Sequence, residues 1–77
     1  MDVTEELMRR MVEVRIDHDD TQRSLAAELN VNHVQWANYE RGQHELPVRY
    51  LVEFCRHYRV SADYLLGLPR GMEWPRG

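Results

Sequence analysis

The stretch from Thr21 to Gly42 constrains the fold most, because its residues match two short helices separated by a tight turn. Thr21 is a good N-cap, since its hydroxyl oxygen can accept a hydrogen bond from a free backbone N–H at a helix start. Leu25 and Leu29 are four residues apart and therefore mark one apolar face. Asn30 follows, and asparagine tolerates the left-handed conformation that a sharp helix exit needs. The pattern predicts a short helix that ends in a turn.

A second helix is predicted from His33, with Asn32 as its cap. At helical spacing, Trp36 and Tyr39 lie on one face. The opposite face carries small or polar side chains, namely Val34, Ala37, Asn38 and Arg41. Surface helices more often expose charged residues on that side. Small and amide side chains can approach DNA base edges closely, and asparagine can pair with adenine. The second helix therefore has the pattern of a major-groove reader.

Together these residues resemble the helix-turn-helix of the Cro and lambda-type phage repressor family, also called the XRE family. The resemblance spans roughly residues 7–68 and rests on TQ at 21–22, LAAEL at 25–29, the turn at 30–32, YERG at 39–42, Arg15, Pro47 and VSADYLLG at 60–67. Two positions depart from the family pattern. Asn30 stands where Gly is usual, and Trp36 replaces an Ile or Val, which demands a re-packed core.

The resemblance implies a compact, all-α, five-helix domain over residues 1–68, in which helices two and three form the helix-turn-helix. It also implies that Arg15 pairs with Glu40 beneath the recognition helix, although a surface arginine is the alternative at that position. Residues 69–77 contain Pro and Gly and predict an irregular C-terminal tail. Met72 and Trp74 in this tail either fold back on the domain, meet a partner subunit or are disordered.

The flanking segments predict three further helices. The first lies within residues 1–17, and its inward stripe is Leu7, Met11 and Val14, with Met8 at the edge. The fourth follows Pro47, and its stripe is Leu51, Phe54, Cys55 and Tyr58, with Cys55 as a buried structural thiol. The last runs from Ala62 to Leu66 between a Ser61 cap and a Gly67 stop, with Tyr64 and Leu65 inward.

The connection His18-Asp19-Asp20 is polar and could suggest a metal site. No second cluster of ligands accompanies it, so a solvated loop is favoured. Asp20 stands where family members often have an apolar residue, and we therefore expect a looser entry into the second helix. His44 and His57 are interpreted as surface side chains.

Length and composition narrow the class of protein. Seventy-seven residues allow one domain, and the single cysteine excludes an internal disulfide framework. The chain has no signal-peptide pattern and no apolar run of about 18 residues that would span a membrane. These features favour a cytoplasmic setting with no membrane association.

The net charge of −3 is unusual for a nucleic-acid binder. The distribution of this charge weakens the argument against nucleic-acid binding, because residues 1–20 carry a net charge of −4, residues 21–44 carry none and residues 45–77 carry +1. The acidity therefore lies mostly before the motif.

The leading functional hypothesis is sequence-specific binding of double-stranded DNA by a homodimeric transcriptional regulator, a repressor by resemblance. Gln22 and Asn32, at helix starts, would donate to phosphates. His33, Val34 and Asn38 would face base edges, with Val34 against a thymine methyl and Gln35 beside them. Arg41 and Gln43 would grip the DNA backbone beyond the helix.

The alternative is a protein-interaction module of the same fold, such as an antitoxin or antirepressor, that binds DNA weakly or not at all. The acidic balance motivates it. An enzyme finds no support, because the sequence has no nucleophile–base pair, no metal-ligand spacing and no phosphate-binding Gly loop. We expect no cofactor and no metal.

Overall fold

The computed structural model describes residues 3–69. Its elements are α1 (Val3–Asp17), α2 (Gln22–Glu28), α3 (His33–Glu40), α4 (Val48–Tyr58) and α5 (Ala62–Leu66). No strand occurs in this part of the chain, so the prediction of an all-α domain with five helices is confirmed. The predicted tail from residue 70 onward, with Met72 and Trp74, lies outside the described residues.

The predicted caps explain where α2 and α3 begin. The Thr21 hydroxyl accepts from the Ser24 backbone N–H at 3.0 Å, and the Ser24 hydroxyl accepts from the Thr21 N–H at 3.0 Å. The Asn32 side-chain oxygen accepts from the backbone N–H groups of Val34 and Gln35. Asn30 adopts the left-handed conformation with φ 57°. Local side-chain chemistry therefore sets this turn, as predicted from the sequence.

The last two helices also begin at predicted residues, and α5 ends at one. Pro47 is the N-cap of α4. The Ser61 hydroxyl accepts from the Asp63 N–H at 3.0 Å and starts α5. Gly67, with φ 71°, ends α5. Arg59 ends α4 with φ 56°, a left-handed position that the sequence pattern did not predict.

The core collects side chains from all five helices. Its buried members are Met8, Met11, Val14, Leu25, Ala26, Leu29, Trp36, Tyr39, Phe54, Tyr58 and Leu65. Trp36 is fully buried. Its ring stacks on Phe54 with centroids 6.2 Å apart and meets Tyr39 edge-on at 5.9 Å. The largest side chain of α3 is therefore built into the core.

Three burial predictions need correction. On α1 Met8 is buried together with Met11 and Val14, whereas Leu7 only packs against the core from a half-buried position. Tyr64 is 50% exposed, because the five-residue α5 turns only Leu65 fully inward. Cys55 is half-buried, and this burial raises the pKa of its thiol.

Candidate functional site

The Glu40 carboxylate, at the end of α3, is the polar anchor of the site. Its side chain is 4% exposed. Arg15 from α1 donates to it twice, through Nε to Oε2 at 2.8 Å and through Nη2 to Oε1 at 3.1 Å. Gln22 Nε2 donates to Oε1 and Trp36 Nε1 donates to Oε2, each at 2.8 Å. Both oxygens therefore accept two hydrogen bonds, and the predicted pair of Arg15 with Glu40 is confirmed.

The donors from Gln22 and Trp36 were missed by sequence reasoning. The signal for Trp36 was available, because residues 36 and 40 are one helical turn apart on the same helix. Gln22 comes from α2, so its approach to Glu40 depends on how α2 and α3 pack. A buried indole N–H needs an acceptor, and a buried carboxylate needs donors. The tryptophan thus supplies packing and a hydrogen bond at once.

A second polar contact fastens the connection between α1 and α2. Arg15 Nη1 donates to the Asp20 carbonyl oxygen at 2.8 Å, and the Tyr58 hydroxyl of α4 donates to the Asp20 carboxylate at 2.7 Å. Burial raises the pKa of the Tyr58 hydroxyl, and the bond to Asp20 raises it further. Instead of the looser start of α2 that was expected at Asp20, these hydrogen bonds join the α1–α2 connection to both α1 and α4.

The outward face of α3 is open to solvent. Val34 is 56% exposed. Of the residues predicted for the site, His33, Val34, Asn32, Arg41 and Gln43 are exposed, while Gln22, Gln35 and Asn38 are half-buried. The buried side of α3 carries Trp36 and Tyr39. On the outward side of α3, Val34 and Arg41 are thus exposed, while Ala37 and Asn38 are only partly accessible.

Two residues expected to act separately are joined in the structure. Arg41 Nη2 donates to the Asn38 side-chain oxygen, three residues back on the same helix. The guanidinium has donors only, so the amide oxygen rather than the NH₂ group must face it. Asn38 therefore presents its NH₂ group beside the positive charge of Arg41.

Two residues absent from the predicted set border this face. Arg23 of α2 places Nη2 3.5 Å from His33 Nε2. His44 Nδ1 lies 3.3 Å from Gln35 Oε1. Arg23 carried a signal in the sequence, being the only basic residue in the first predicted helix of the motif. His44 carried none, because its position depends on the path of the loop after α3.

The predicted donors at the helix starts are partly engaged. Gln22 uses one amide N–H for Glu40, and an amide NH₂ group has two. Asn32 caps α3 through its oxygen, and the cap does not use its nitrogen. Each side chain therefore retains a donor of the kind that a phosphate oxygen accepts.

The charge balance of the motif changes once burial is considered. Glu40 makes residues 21–44 neutral in sequence, yet its charge is buried against Arg15. The exposed charges of residues 21–44 are then Arg23, Arg41 and Glu28, a net +1. The solvent-facing surface of residues 21–44 thus carries a small positive charge where the sequence indicates none.

Within residues 3–69, no cluster of three or more His, Cys, Asp or Glu side chains is placed to hold a metal ion. None of the helices in that range combines the length and apolar character needed to cross a membrane. Comparison with protein-family models, with curated proteins and with solved structures finds no match.

Proposed function

We propose that the protein binds double-stranded DNA sequence-specifically as a transcriptional regulator, with α2 and α3 acting as a helix-turn-helix. The observation that carries this proposal is the outward face of α3, where exposed Val34 lies beside polar side chains. A major groove about 12 Å wide admits a helix, and base edges there offer hydrogen-bonding groups and thymine methyls. The face of α3 matches these partners in size and chemistry.

Rigid support beneath α3 strengthens the proposal. Glu40 joins α3 to α1 through two hydrogen bonds from Arg15 and to α2 through one from Gln22, and these bonds hold α3 against both helices. A base-reading helix must be held in one orientation, because hydrogen bonds weaken steeply when donor and acceptor are misaligned. The buried network supplies that orientation without occupying the outward face.

The modest charge of the surface shapes the binding mode. Arg23 and Arg41 are the exposed cations of residues 21–44, so we expect few phosphate contacts per subunit and a shallow dependence of affinity on salt. Affinity would then depend on a homodimer that places two copies of α3 about 34 Å apart, one helical turn, on a palindromic site.

The test is selection of binding sites from random duplex DNA, followed by affinity measurements on the winner and on a scrambled duplex at several salt concentrations. Val34→Ala should weaken binding to the winner several-fold, since it removes the methyl groups proposed to contact thymine. Val48→Ala is the matched control, because Val48 is 73% exposed on α4. Equal losses for both variants would contradict the proposed reading face.

The net charge of −3 favours a second candidate, a protein-interaction module of the same fold. This candidate takes over if no duplex can be selected. A partner would then be sought among basic proteins, because residues 1–20 carry a net charge of −4.

A further inference from the structure

We propose that Asn38 and Arg41 act as one donor-only pair that reads guanine, and not the adenine that asparagine alone would favour. This inference rests on the proposed DNA binding and names the base that the face of α3 selects. Its basis is the hydrogen bond from Arg41 Nη2 to the Asn38 side-chain oxygen.

Base chemistry separates the two readings. Asparagine recognises adenine by accepting from N6–H₂ and donating to N7, so it needs its oxygen. Guanine offers two acceptors on its major-groove edge, O6 and N7. With its oxygen engaged by Arg41, Asn38 contributes an NH₂ donor, and Arg41 contributes further guanidinium donors. A surface that only donates matches guanine and is mismatched to the donor group of adenine.

The second lone pair of the amide oxygen does not restore adenine reading. An adenine N6–H that approached this oxygen would lie beside the guanidinium N–H groups of Arg41. Two donors would then crowd one acceptor, and the positive charge would repel the amino hydrogens. The pair therefore disfavours adenine as well as favouring guanine.

The neighbouring acid does not compete for Arg41. Glu40 is adjacent in sequence, but its carboxylate is turned into the protein and already accepts from Arg15, Gln22 and Trp36. Arg41 is exposed and is the C-cap residue of α3. Glu40 is therefore not the acceptor of Arg41, which donates to Asn38.

The experiment compares duplexes that differ at one base pair of each selected half-site. For the native chain we expect G·C to bind about tenfold or more tightly than A·T at one position. Arg41→Ala should erase that preference or turn it toward A·T, because the Asn38 oxygen becomes available. Arg56→Ala is the charge-matched control, since Arg56 is exposed on α4 and lies 3.7 Å from Glu53. It should keep the native preference.

Three results overturn the proposal. They are a native preference for adenine at the position that responds to Asn38→Ala, a guanine preference that Arg41→Ala leaves intact, and failure to select any duplex. The third also removes the proposed function, whereas the first two leave DNA binding in place. Both side chains lie on the surface side of α3, so we expect the variants to stay folded. Circular dichroism of each variant checks that a lost base preference does not reflect unfolding.

Discussion

Trp36→Phe tests whether the indole N–H of Trp36 stabilises the fold in addition to the packing of the ring. The native indole is fully buried and donates to Glu40 at 2.8 Å. Phenylalanine keeps an aromatic ring against Phe54 but removes this donor and part of the ring volume. The Glu40 carboxylate would retain donors from Arg15 and Gln22, so the anchor is weakened and not abolished.

The magnitude follows from two losses. A hydrogen bond to a charged group contributes about 1.5–3 kcal/mol. Removing buried ring atoms adds about 1 kcal/mol for lost packing. Trp36→Phe should therefore cost about 2.5–4 kcal/mol, and Trp36→Ala about 3–5 kcal/mol or more. A chain of this length has roughly 4–12 kcal/mol of total stability, so the alanine variant loses between about a quarter and all of it.

Urea denaturation followed by far-UV circular dichroism measures both variants. The midpoint for Trp36→Phe should fall by at least about 1 M. Tyr39→Phe is the control, because Tyr39 is a buried aromatic residue on the same helix as Trp36. In residues 3–69 no buried polar side-chain atom lacks a hydrogen-bond partner. A Trp36→Phe midpoint equal to that of the native chain would refute the contribution assigned to the bond.

Three further predictions concern stability. Removing either Arg15 or Glu40 alone should cost about 3–5 kcal/mol by stranding a charge, and a double-mutant cycle with coupling near zero would exclude the pair. Because the pKa of Tyr58 is raised, its contribution to the free energy of unfolding is complete below about pH 10, the ordinary tyrosine pKa, and is lost as the pH rises through the raised pKa. Tyr58→Phe should flatten that alkaline loss of stability in pH-dependent urea titrations. Gly67→Ala should cost about 1–2 kcal/mol in thermal melts, because residue 67 has a φ of 71°, and an unchanged melting temperature would contradict this.

Local chemistry determined much of the fold from the sequence alone. The helix caps lie where the sequence predicted them, at Thr21, Asn32 and Ser61. The left-handed positions predicted from residue type, Asn30 and Gly67, are also observed. Such features depend on hydrogen bonds and sterics within a few residues, so no knowledge of the partner helices is needed. The exposed face of α3 likewise followed from helical periodicity.

Packing between helices decided the rest. The rotation of α1 that buries Met8 and the exposure of Tyr64 depend on which neighbours cover each helix, and periodicity leaves both within one residue of the alternative. The donors of Arg15 and Gln22 reach Glu40 from α1 and α2, which only the tertiary structure brings to α3. Arg41 could turn toward solvent, toward Glu40 or toward Asn38 in an isolated helix; in the folded chain Glu40 is turned into the protein and Arg41 donates to Asn38.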